Sequence, residues 1–536
     1  MKIQKIIIRN YKIFRDLNLE FKRNINIIIG NNEAGKTTLL EAIQLVLSAQ
    51  INYQSIKFNI SPYLFNKEIT TEYINQLQTD KNAPLPEILI EAYFYPSENQ
   101  ELNRFIGTNN SCSENCAGLF LRIHFDSQYN RQYQEYIKEP AKVKTIPTEF
   151  YTYDWSSFAY NPLKTNSLPF KSTFLNCTES RYNNTQDKHL YDILSTSLSK
   201  EETARLNLTY RTLKESFSTE EAIRKINSTL QTTSADITDK DLSVSVDVSN
   251  KNTWETNLTF YLDDIPFKYI GKGEQNAVKT KLVVQECKEE NHIILLEEPE
   301  TNLSFSNMNK LVHHIVNNCT SNQLFISTHS SFIMNSIGLE NTILLNGDNV
   351  VLMSTLSSQT KDFFRKLPGF DTLRLALTNK IILVEGASDE LIVQKACYQQ
   401  HKYYPIERGV DVMSVSLAFK RFLEIARLLN KSVSVVTDND GDISALEKKY
   451  KEYLGNKDSN IKIYYHKNPQ NNTLEPCLLA CNELSVINQI LNRNDATKES
   501  LLQYMLKNKT KCALQLFDTK IEFNIPDYIQ EAVNDI

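Results

Sequence analysis

The sequence lacks long apolar runs and an excess of positive charge. No window approaches the roughly 18 uninterrupted apolar residues of a membrane-spanning helix. The N terminus lacks the apolar core and the small-residue cleavage site of a signal peptide. A net charge of −5 excludes a globally basic nucleic-acid-binding protein, so any contact with nucleic acid must come from local patches. The sequence therefore predicts a cytoplasmic protein that does not associate with membranes.

Cysteines in a metal-binding pattern are also lacking. The chain has nine cysteines, an odd number. Cys112/Cys116 and Cys477/Cys481 form close pairs, but no second Cys or His pair stands at zinc-finger distance from them. Buried or free thiols are therefore favoured over metal ligands. With 536 residues, no internal repeat and no long low-complexity tract, the chain has room for two to four domains.

Hydrophobic spacing in the middle of the chain predicts helices and then a hairpin. Leu206, Tyr210, Leu213 and Phe217 recur at three- and four-residue steps, as on one face of a helix. Residues 242–262 then alternate between apolar and polar side chains, which predicts two strands. In that hairpin Val244, Val246 and Val248 share one face, and Asn250-Lys251-Asn252 forms the turn.

A phosphate-binding loop is indicated near the N terminus. The run Gly30-Asn31-Asn32-Glu33-Ala34-Gly35-Lys36-Thr37 matches the P-loop pattern and lies between a predicted strand and a predicted helix. The backbone N–H groups of such a loop bind phosphate oxygens at a helix N terminus. Lys36 is expected to reach the β- and γ-phosphates of ATP, and Thr37 to ligate Mg²⁺. The predicted nucleotide-binding residues of the loop are Gly30, Asn31, Asn32, Gly35, Lys36, Thr37 and Thr38.

Two carboxylates follow a second apolar strand, at His292-Ile293-Ile294-Leu295-Leu296. Glu297 and Glu298 would stand at the carboxyl end of that strand, where α/β proteins bind their ligands. Glu297 is expected to hold Mg²⁺ through water, although Asp is more usual at that position. Glu298 is expected to orient or deprotonate the attacking water.

Two further segments indicate the ABC class of P-loop ATPase. His329 follows the apolar strand Leu324-Phe325-Ile326 and stands where ABC-type ATPases carry a switch histidine that senses the γ-phosphate. Gly273 and Gln275 belong to a segment that resembles a degenerate ABC signature loop, which caps the nucleotide of a partner subunit; an ordinary turn is the alternative. The opening run 8–14 and the loop 298–303 resemble RecF- and SMC-type heads. Together these segments predict an ATPase head that works as a dimer.

A second set of acids follows two apolar strands in the C-terminal half. Glu385 and Asp389 come after Lys380–Val384, and Asp438 and Asp440 come after the strand at 432–437. Their side chains can converge at one edge of a sheet. Four carboxylates there would require divalent cations, and oxygen ligands suit Mg²⁺ or Mn²⁺. Two such ions could activate water at a phosphodiester. This pairing is the pattern of Toprim domains, while solvated acidic loops are the alternative.

Two C-terminal residues are weaker candidates for the same site. Glu475 is a possible further metal ligand. Lys509 could stabilise the pentavalent transition state, with Lys511 as its competitor, and a solvated helix face is the alternative for both lysines.

An ABC-type head followed by a Toprim domain resembles the OLD (overcoming lysogenisation defect) family, which includes the nuclease subunit of the Gabija anti-phage system and retron-associated members. The resemblance implies an α/β protein with an ABC/SMC-type head at 1–185 and 241–355, a helical dimerisation insert at 186–240, and a Toprim nuclease domain at 378–536. The helical, charged segment around 358–377 is interpreted as a connector. Gabija-type members tend to carry an acid where this chain has Thr473. The resemblance implies that ATP is served by Lys36, Thr37, Glu297, Glu298 and His329, and cleavage by Glu385, Asp389, Asp438, Asp440, Glu475 and Lys509.

The resulting prediction is an ATP-regulated, divalent-metal-dependent DNA endonuclease, which nicks DNA or cuts both strands and acts in anti-phage defence. Expected cofactors are ATP and Mg²⁺ or Mn²⁺; expected partners are DNA and further copies of the chain, with a helicase or retron components as options. The alternative is an ATP-dependent clamp or sensor of nucleic acid without nuclease activity. A strand-passage or primer-making Toprim enzyme is disfavoured, because the chain shows neither a topoisomerase tyrosine context nor a primase zinc module.

Overall fold

The computed structural model describes residues 1–51, 54–97, 100–164, 168–177, 198–234, 242–246, 254, 260–285, 292–318, 322–454 and 460–535. Its strands are β1 (Ile3–Tyr11), β2 (Phe14–Glu20), β3 (Ile25–Ile29), β4 (Gln50–Ile51), β5 (Gln54–Ser55), β6 (Ile88–Phe94), β7 (Ile106–Gly107), β8 (Cys116–Phe125), β9 (Tyr151–Ser157), β10 (Lys171–Asn176), β11 (Tyr261–Leu262), β12 (Ile265–Pro266), β13 (His292–Glu297), β14 (Gln323–Ser327), β15 (Thr342–Asn346), β16 (Asn349–Leu352), β17 (Lys380–Val384), β18 (Val410–Ser414), β19 (Ser432–Val436) and β20 (Ile461–Tyr464).

The α-helices of the same residues are α1 (Lys36–Ser48), α2 (Lys67–Thr79), α3 (Asn130–Tyr136), α4 (Lys200–Ser218), α5 (Glu221–Ser234), α6 (Lys272–Gln285), α7 (Phe305–Asn318), α8 (Ser331–Ile337), α9 (Ser358–Lys366), α10 (Thr372–Leu377), α11 (Ala387–His401), α12 (Phe419–Leu428), α13 (Ile443–Lys449), α14 (Leu474–Ala480), α15 (Leu484–Leu491), α16 (Lys498–Lys507), α17 (Lys509–Asp518) and α18 (Asp527–Asn534). None of these helices is long and apolar enough to cross a membrane.

The first sheet is antiparallel and covers the helix that follows the phosphate loop. Its strands run in the order β2-β1-β6-β8, with β7 and β9 also paired to β8. Ile6 and Ile8 of β1 are completely buried, in one core cluster with Leu39, Leu40 and Ile43 of α1. Alternating apolar residues on one face of an antiparallel sheet give it a single face to bury. That face fixes α1 in place.

The second sheet carries the nucleotide motifs. Its strands run in the order β10-β13-β14-β3-β15-β16 and are parallel except for β16. The strand predicted to precede the P-loop is β3, and its residues Ile27, Ile28 and Ile29 have no exposed surface. Such continuous apolar runs suit strands buried on both faces. The carboxyl ends of β3, β13 and β14 therefore lie side by side at one edge of this sheet.

The helical pattern in the middle of the chain is confirmed for the described residues. It forms α4 and α5, whose apolar side chains are widely exposed: Leu213 is 64% and Phe217 is 56% exposed. The rest of the predicted 186–240 insert, residues 186–197 and 235–240, lies outside the described residues.

The predicted hairpin is wrong at residues 242–246. The end of the predicted second strand, Tyr261–Leu262, does form a strand, β11, but it pairs with β12 (Ile265–Pro266) instead. Residues 242–246 form no strand. Instead, the Asn227 side chain donates to the Val244 carbonyl oxygen (3.1 Å) and accepts from the Val244 N–H (2.7 Å), so α5 takes the place of a pairing strand. Val248 and the turn predicted at 250–252 lie outside the described residues.

The third sheet lies in the C-terminal half and is fully parallel, in the order β18-β17-β19-β20. The two strands predicted to carry acids, β17 and β19, are adjacent in it. Parallel strands direct their carboxyl ends to the same edge. The residues that follow β17 and β19 are therefore neighbours.

The predicted connector is helical, as α9 and α10, but it is packed rather than exposed. Phe364 of α9 is fully buried and meets the Phe422 ring of α12 edge-on, with centroids 5.2 Å apart. One core cluster includes Leu296 of the second sheet and Leu383 of the third. The two sheets are therefore joined through a continuous apolar core.

Candidate functional site

The loop between β3 and α1 has a backbone that requires glycine. Gly35 has a φ of 101°, and a Cβ there would lie 2.8 Å from the Phe14 ring. A Cβ on Gly30 would lie 2.5 Å from the carbonyl oxygen of Leu345. The Lys36 ammonium donates to the carbonyl oxygens of Gly30 (3.0 Å) and Asn31 (2.9 Å), so the loop curls around its own lysine. This is the conformation that a P-loop needs.

A cavity of about 420 Å³ opens beside this loop. It brings together most of the predicted ATP residues, while Gly30 and Asn31 contribute through Lys36. Sequence reasoning missed Lys12 and Ile13, although the run 8–14 already resembled an ATPase head. Lys12 forms an ion pair with Glu41 of α1. The cavity is lined by Lys12, Ile13, Asn32, Glu33, Ala34, Gly35, Lys36, Thr37, Thr38, Glu298 and His329.

Glu297 ends β13 and is buried against the P-loop. The Thr37 hydroxyl donates to its carboxylate, and only 4% of Glu297 is exposed. The hydroxyl and the carboxylate that were predicted to serve Mg²⁺ are thus in direct contact. Both are oxygen ligands of the kind that Mg²⁺ prefers.

Glu298 and His329 line the cavity and face each other. Glu298 has a φ of 45°, and its Oε1 lies 3.6 Å from Nε2 of His329. Burial and the nearby Lys36 ammonium lower the pKa of His329, although Glu298 opposes this shift. The imidazole is therefore neutral at neutral pH and can either donate or accept a hydrogen bond.

Glu300 positions this histidine and was not predicted. Its Oε1 accepts from the Thr328 hydroxyl (2.7 Å) and from the backbone N–H of His329 (2.8 Å). Burial raises the pKa of Glu300, while these two hydrogen bonds oppose the rise. In the sequence, Glu300 is marked only by its place in the Glu298-Pro299-Glu300 loop, and that place does not indicate a contact with the residues after β14.

The predicted signature segment is the first turn of α6 rather than a free loop. A Cβ on Gly273 would lie 2.1 Å from the carbonyl oxygen of Asn302, so no larger residue fits. The Gln275 amide donates to the carbonyl oxygens of Phe267 and Ile270, each at 2.8 Å. Neither Gly273 nor Gln275 lines the cavity described above. A role toward a partner's nucleotide stays a prediction.

The acids of the third sheet gather at its carboxyl edge. Glu385 directly follows β17, and Asp438 follows β19 after one residue. Asp389 accepts from the backbone N–H of Gly386 at 2.9 Å, so its carboxylate also caps the start of α11. Asp440 has a φ of 50°, and its N–H donates to the Asn472 carbonyl oxygen at 3.2 Å.

These carboxylates share one electrostatic environment. Burial, and then the charges of Asp389, Glu385 and Glu475, raise the pKa of Asp438 to about 8. Burial also raises the pKa of Asp389 to about 6, with further increments from Glu385 and Glu475. Burial and Asp440 raise the pKa of Glu385. Buried carboxylates that disfavour one another's ionisation are the chemical setting that a divalent cation relieves.

These acids are neighbours, but their side chains do not surround a single point. Across the described ranges, no three His, Cys, Asp or Glu side chains are placed to hold one metal ion. The raised pKa values thus favour a cation site, whereas the present positions of the side chains do not form one. The acids nevertheless follow adjacent strands and raise one another's pKa values. Their carboxylate oxygens are donors of the kind that divalent cations prefer.

Glu475 and Lys509 complete this edge. Glu475 lies at the start of α14 with its side chain 5% exposed, and its Oε2 is 3.4 Å from the Lys509 ammonium. Lys509 also lowers the pKa values of Glu385, Asp389 and Asp438, which places it among the acids, whereas Lys511 shows no such contact in the described part of the chain. The Thr473 hydroxyl donates to Glu475 at 3.1 Å.

Asn439, between the two aspartates, was not predicted to matter. It is 2% exposed, and its amide donates to the carbonyl oxygens of His466 (2.7 Å) and Asn468 (3.1 Å). Its Oδ1 accepts from the Gly441 N–H at 2.9 Å. Asn439 therefore fixes the turn that presents Asp438 and Asp440. The last acid of the run, Asp442, instead caps α13 by accepting from the Ala445 N–H at 2.9 Å.

Comparison with protein families matches both halves of the chain. The family described as "AAA ATPase domain" matches residues 1–334. The family described as "Overcoming lysogenization defect protein-like, TOPRIM domain" matches residues 377–440. The first match contains the P-loop, Glu297, Glu298 and His329, and the second contains Glu385, Asp389, Asp438 and Asp440.

Curated relatives are similar over short stretches. The chain is 32% identical to the DNA replication and repair protein RecF of Bacillus cytotoxicus over 124 residues, 20% of this chain and 30% of that protein. It is 44% identical to RecF of Lactococcus lactis subsp. cremoris (strain MG1363) over 46 residues, 9% of this chain and 13% of that protein. The chain thus spans less than a third of the length of these relatives.

Solved structures that match the chain include an SMC head domain and RecF. The SMC head domain from Thermotoga maritima is 12% identical and has a TM-score of 0.31, covering 66% of this chain and 99% of that one. The structure of the recombination mediator protein RecF with ATP is 10% identical and has a TM-score of 0.33, covering 65% and 98%. Both TM-scores are too low to support a shared function.

Proposed function

This chain belongs to the OLD family of ATPase–Toprim proteins, and from that premise we propose that it is an ATP-regulated, divalent-metal-dependent DNA endonuclease. The observation that carries the proposal is the cluster of Glu385, Asp389 and Asp438, whose pKa values are raised by burial and by one another beside Lys509. Such shifts are typical of sites that bind cations or perform catalysis.

The proposed nucleotide chemistry uses the cavity beside the P-loop. Lys36 would exchange its two carbonyl partners for phosphate oxygens, and the P-loop N–H groups would donate to the same phosphates. Thr37 and Glu297 would hold Mg²⁺. Glu298 would orient the attacking water and accept its proton, and His329 would donate to the γ-phosphate.

The proposed cleavage chemistry uses the edge of the third sheet. Divalent ions held by Glu385, Asp389, Asp438 and Asp440 would supply Lewis acidity and an activated water. Glu475 would keep the Lys509 ammonium directed at the site, where its charge would stabilise the developing negative charge on the phosphate. Asn439 would hold the turn that positions Asp438 and Asp440.

The proposed setting is anti-phage defence in the cytoplasm, with DNA as the substrate and a homodimer or higher homo-oligomer as the working form. The exposed apolar side chains of α4 and α5 support self-association, because Leu208, Leu213 and Phe217 are each more than half exposed. Family resemblance alone suggests a helicase or retron components as further partners.

One observation favours the second candidate, a nucleic-acid clamp or sensor without nuclease activity. In the described residues no three acids already surround a single point. In a clamp the same acids would serve only to bind a cation or a partner. The two candidates differ in whether DNA is cut.

Plasmid cleavage with Mg²⁺ or Mn²⁺ tests the proposal, with and without ATP. We expect Asp438→Asn to slow cleavage by at least about 100-fold, as expected when a residue at a metal centre is lost. Asp442→Asn is the matched control, because Asn also caps helices and this change should leave the rate near that of the unaltered protein. Equal rates for Asp438→Asn and the unaltered protein would exclude the assigned centre. No cleavage in any metal would favour the clamp.

A further inference from the structure

A hydrogen-bonded path begins at Ser331, two residues after His329. Ser330 caps α8 by accepting from the Ile333 N–H at 3.3 Å. The hydroxyl of the next residue, Ser331, donates to the Asp371 carboxylate and accepts from the backbone N–H of Leu373 at 3.3 Å. The chain segment that carries His329 is thus bonded directly to the start of α10 in the connector.

A second contact makes this junction firm. Asp371 caps α10 by accepting from the Arg374 N–H at 3.2 Å. Asn335 of α8 is completely buried, donates to the Phe370 carbonyl oxygen (2.7 Å) and accepts from the Thr372 hydroxyl (2.6 Å). Since α8 and α10 share these bonds, a shift of one helix has to displace the other.

Arg374 extends from α10 to the third sheet. Its guanidinium donates to both carboxylate oxygens of Asp411, with Nη2–Oδ1 at 2.5 Å, and to the Val412 carbonyl oxygen at 3.1 Å. Asp411 lies in β18 and is 7% exposed. A bidentate pair of this kind fixes orientation as well as distance.

The path ends at the acidic edge. β18 pairs with β17. In addition to this strand pairing, the Ser414 hydroxyl and the Ser416 N–H both donate to the carbonyl oxygen of Glu385, each at 3.0 Å. The backbone position of Glu385 is therefore set by the end of β18.

The connector leaves little room for a free hinge between these points. Glu424 of α12 accepts from the Ser357 hydroxyl at 2.9 Å and from the Thr360 hydroxyl, so α9 is bonded to the same domain. The apolar core runs on through Phe364 and Phe422. Close-packed interiors transmit displacements rather than absorb them.

We propose that Arg374 is a positioning residue, through which the state of the His329 loop sets the position of Glu385 and hence the nucleotide dependence of cleavage. The inference rests on the proposed function and deepens it, because it names the route by which ATP acts on the acidic centre. Arg374 touches neither the nucleotide cavity nor the acids themselves. Its loss should therefore separate the two activities rather than abolish either.

The test replaces the pair as a unit, with Arg374→Gln and Asp411→Asn in one full-length chain. Removing both charges avoids leaving a buried carboxylate without its partner. Arg427→Gln is the matched control, since it breaks the exposed Arg427–Glu452 pair (3.2 Å) on α12, away from the path. Ser331→Ala is a milder second variant that removes one hydroxyl from the path.

For each protein, rates of ATP hydrolysis and of plasmid cleavage with and without ATP are measured. We expect the double variant to hydrolyse ATP and to cleave plasmid. The ratio of its cleavage rates with and without ATP should be at least about fivefold closer to one than the same ratio in the unaltered protein, as a typical coupling between sites would allow. Ser331→Ala should shift the ratio the same way, and Arg427→Gln should keep the original ratio. A uniform loss of cleavage with an unchanged ratio would overturn the inference.

Amide hydrogen exchange of residues 410–414 gives a readout that does not depend on cleavage. Adding ATP to the unaltered protein should change the exchange rates of these amides, and adding ATP to the double variant should leave them unchanged. If the unaltered protein never cleaves DNA, the proposed function fails, and the exchange alone decides the inference. If exchange responds to ATP equally in both proteins, the path through Arg374 is refuted.

Discussion

Asp438→Asn should stabilise the protein against heat when no divalent cation is present. The pKa of Asp438 is raised from 3.8 to about 8, because burial and three neighbouring carboxylates disfavour its charge. An acid whose pKa is higher in the folded state destabilises that state once the pH exceeds its unfolded value. The destabilisation begins near pH 3.8 and is complete above about pH 8.

The size of the effect follows from the shift. At about 1.4 kcal/mol per pKa unit, ionised Asp438 costs up to about 5–6 kcal/mol at pH 8. Water that reaches the partly exposed carboxylate reduces this, so we expect a gain of about 2–3 kcal/mol for the uncharged amide. For a domain of this size such a gain raises the midpoint of thermal unfolding by about 5–10 °C.

Thermal unfolding in EDTA at about pH 5 and pH 8 is the assay, since the gain should be smaller at the lower pH. Adding Mn²⁺ should raise the midpoint of the unaltered protein and have little effect on Asp438→Asn. Asp442→Asn should follow the unaltered protein throughout. The reasoning is refuted if Asp438→Asn lowers the midpoint in EDTA, or if its gain is the same at both pH values.

Three other changes have expected outcomes. Glu300→Gln should lower kcat for ATP hydrolysis by roughly tenfold with little change in KM, because Glu300 holds the His329 backbone and does not itself contact nucleotide. A change in KM alone would contradict this positioning role. Gly273→Ala should lower the thermal midpoint, since its Cβ would clash with the Asn302 carbonyl oxygen, and an unchanged midpoint would show that this turn can relax. Leu213→Glu should weaken self-association in sedimentation, with Leu417→Glu, at a more exposed site outside α4, as control.

The positions of the two candidate sites could be predicted because α/β proteins bind their ligands at the carboxyl ends of their strands. Apolar runs followed by acids, at Glu297 and Glu385, fix both the strand and the position of the carboxylate. Parallel pairing then brings separate ends together, as β17 and β19 do. The family assignment followed from the order of these motifs.

What could not be predicted depends on contacts between distant segments. Glu300 accepts hydrogen bonds from the residues after β14, and Asn439 donates to the loop at 466–468. Neither contact leaves a periodic signal in the sequence. The alternation at 242–246 indicated a strand, but the Asn227 side chain satisfies that backbone instead. The segment around 358–377 was predicted to be helical, but its sequence does not show that one core would enclose both halves.

Titration calorimetry with Mn²⁺, in the absence of nucleotide, measures the central claim most directly. The account predicts that the unaltered protein and Asp442→Asn bind Mn²⁺ with the same stoichiometry, and that Asp438→Asn and Glu385→Gln lose most of that binding. Equal Mn²⁺ binding by all four proteins, or none by the unaltered one, would contradict an acidic centre built from these two strand ends.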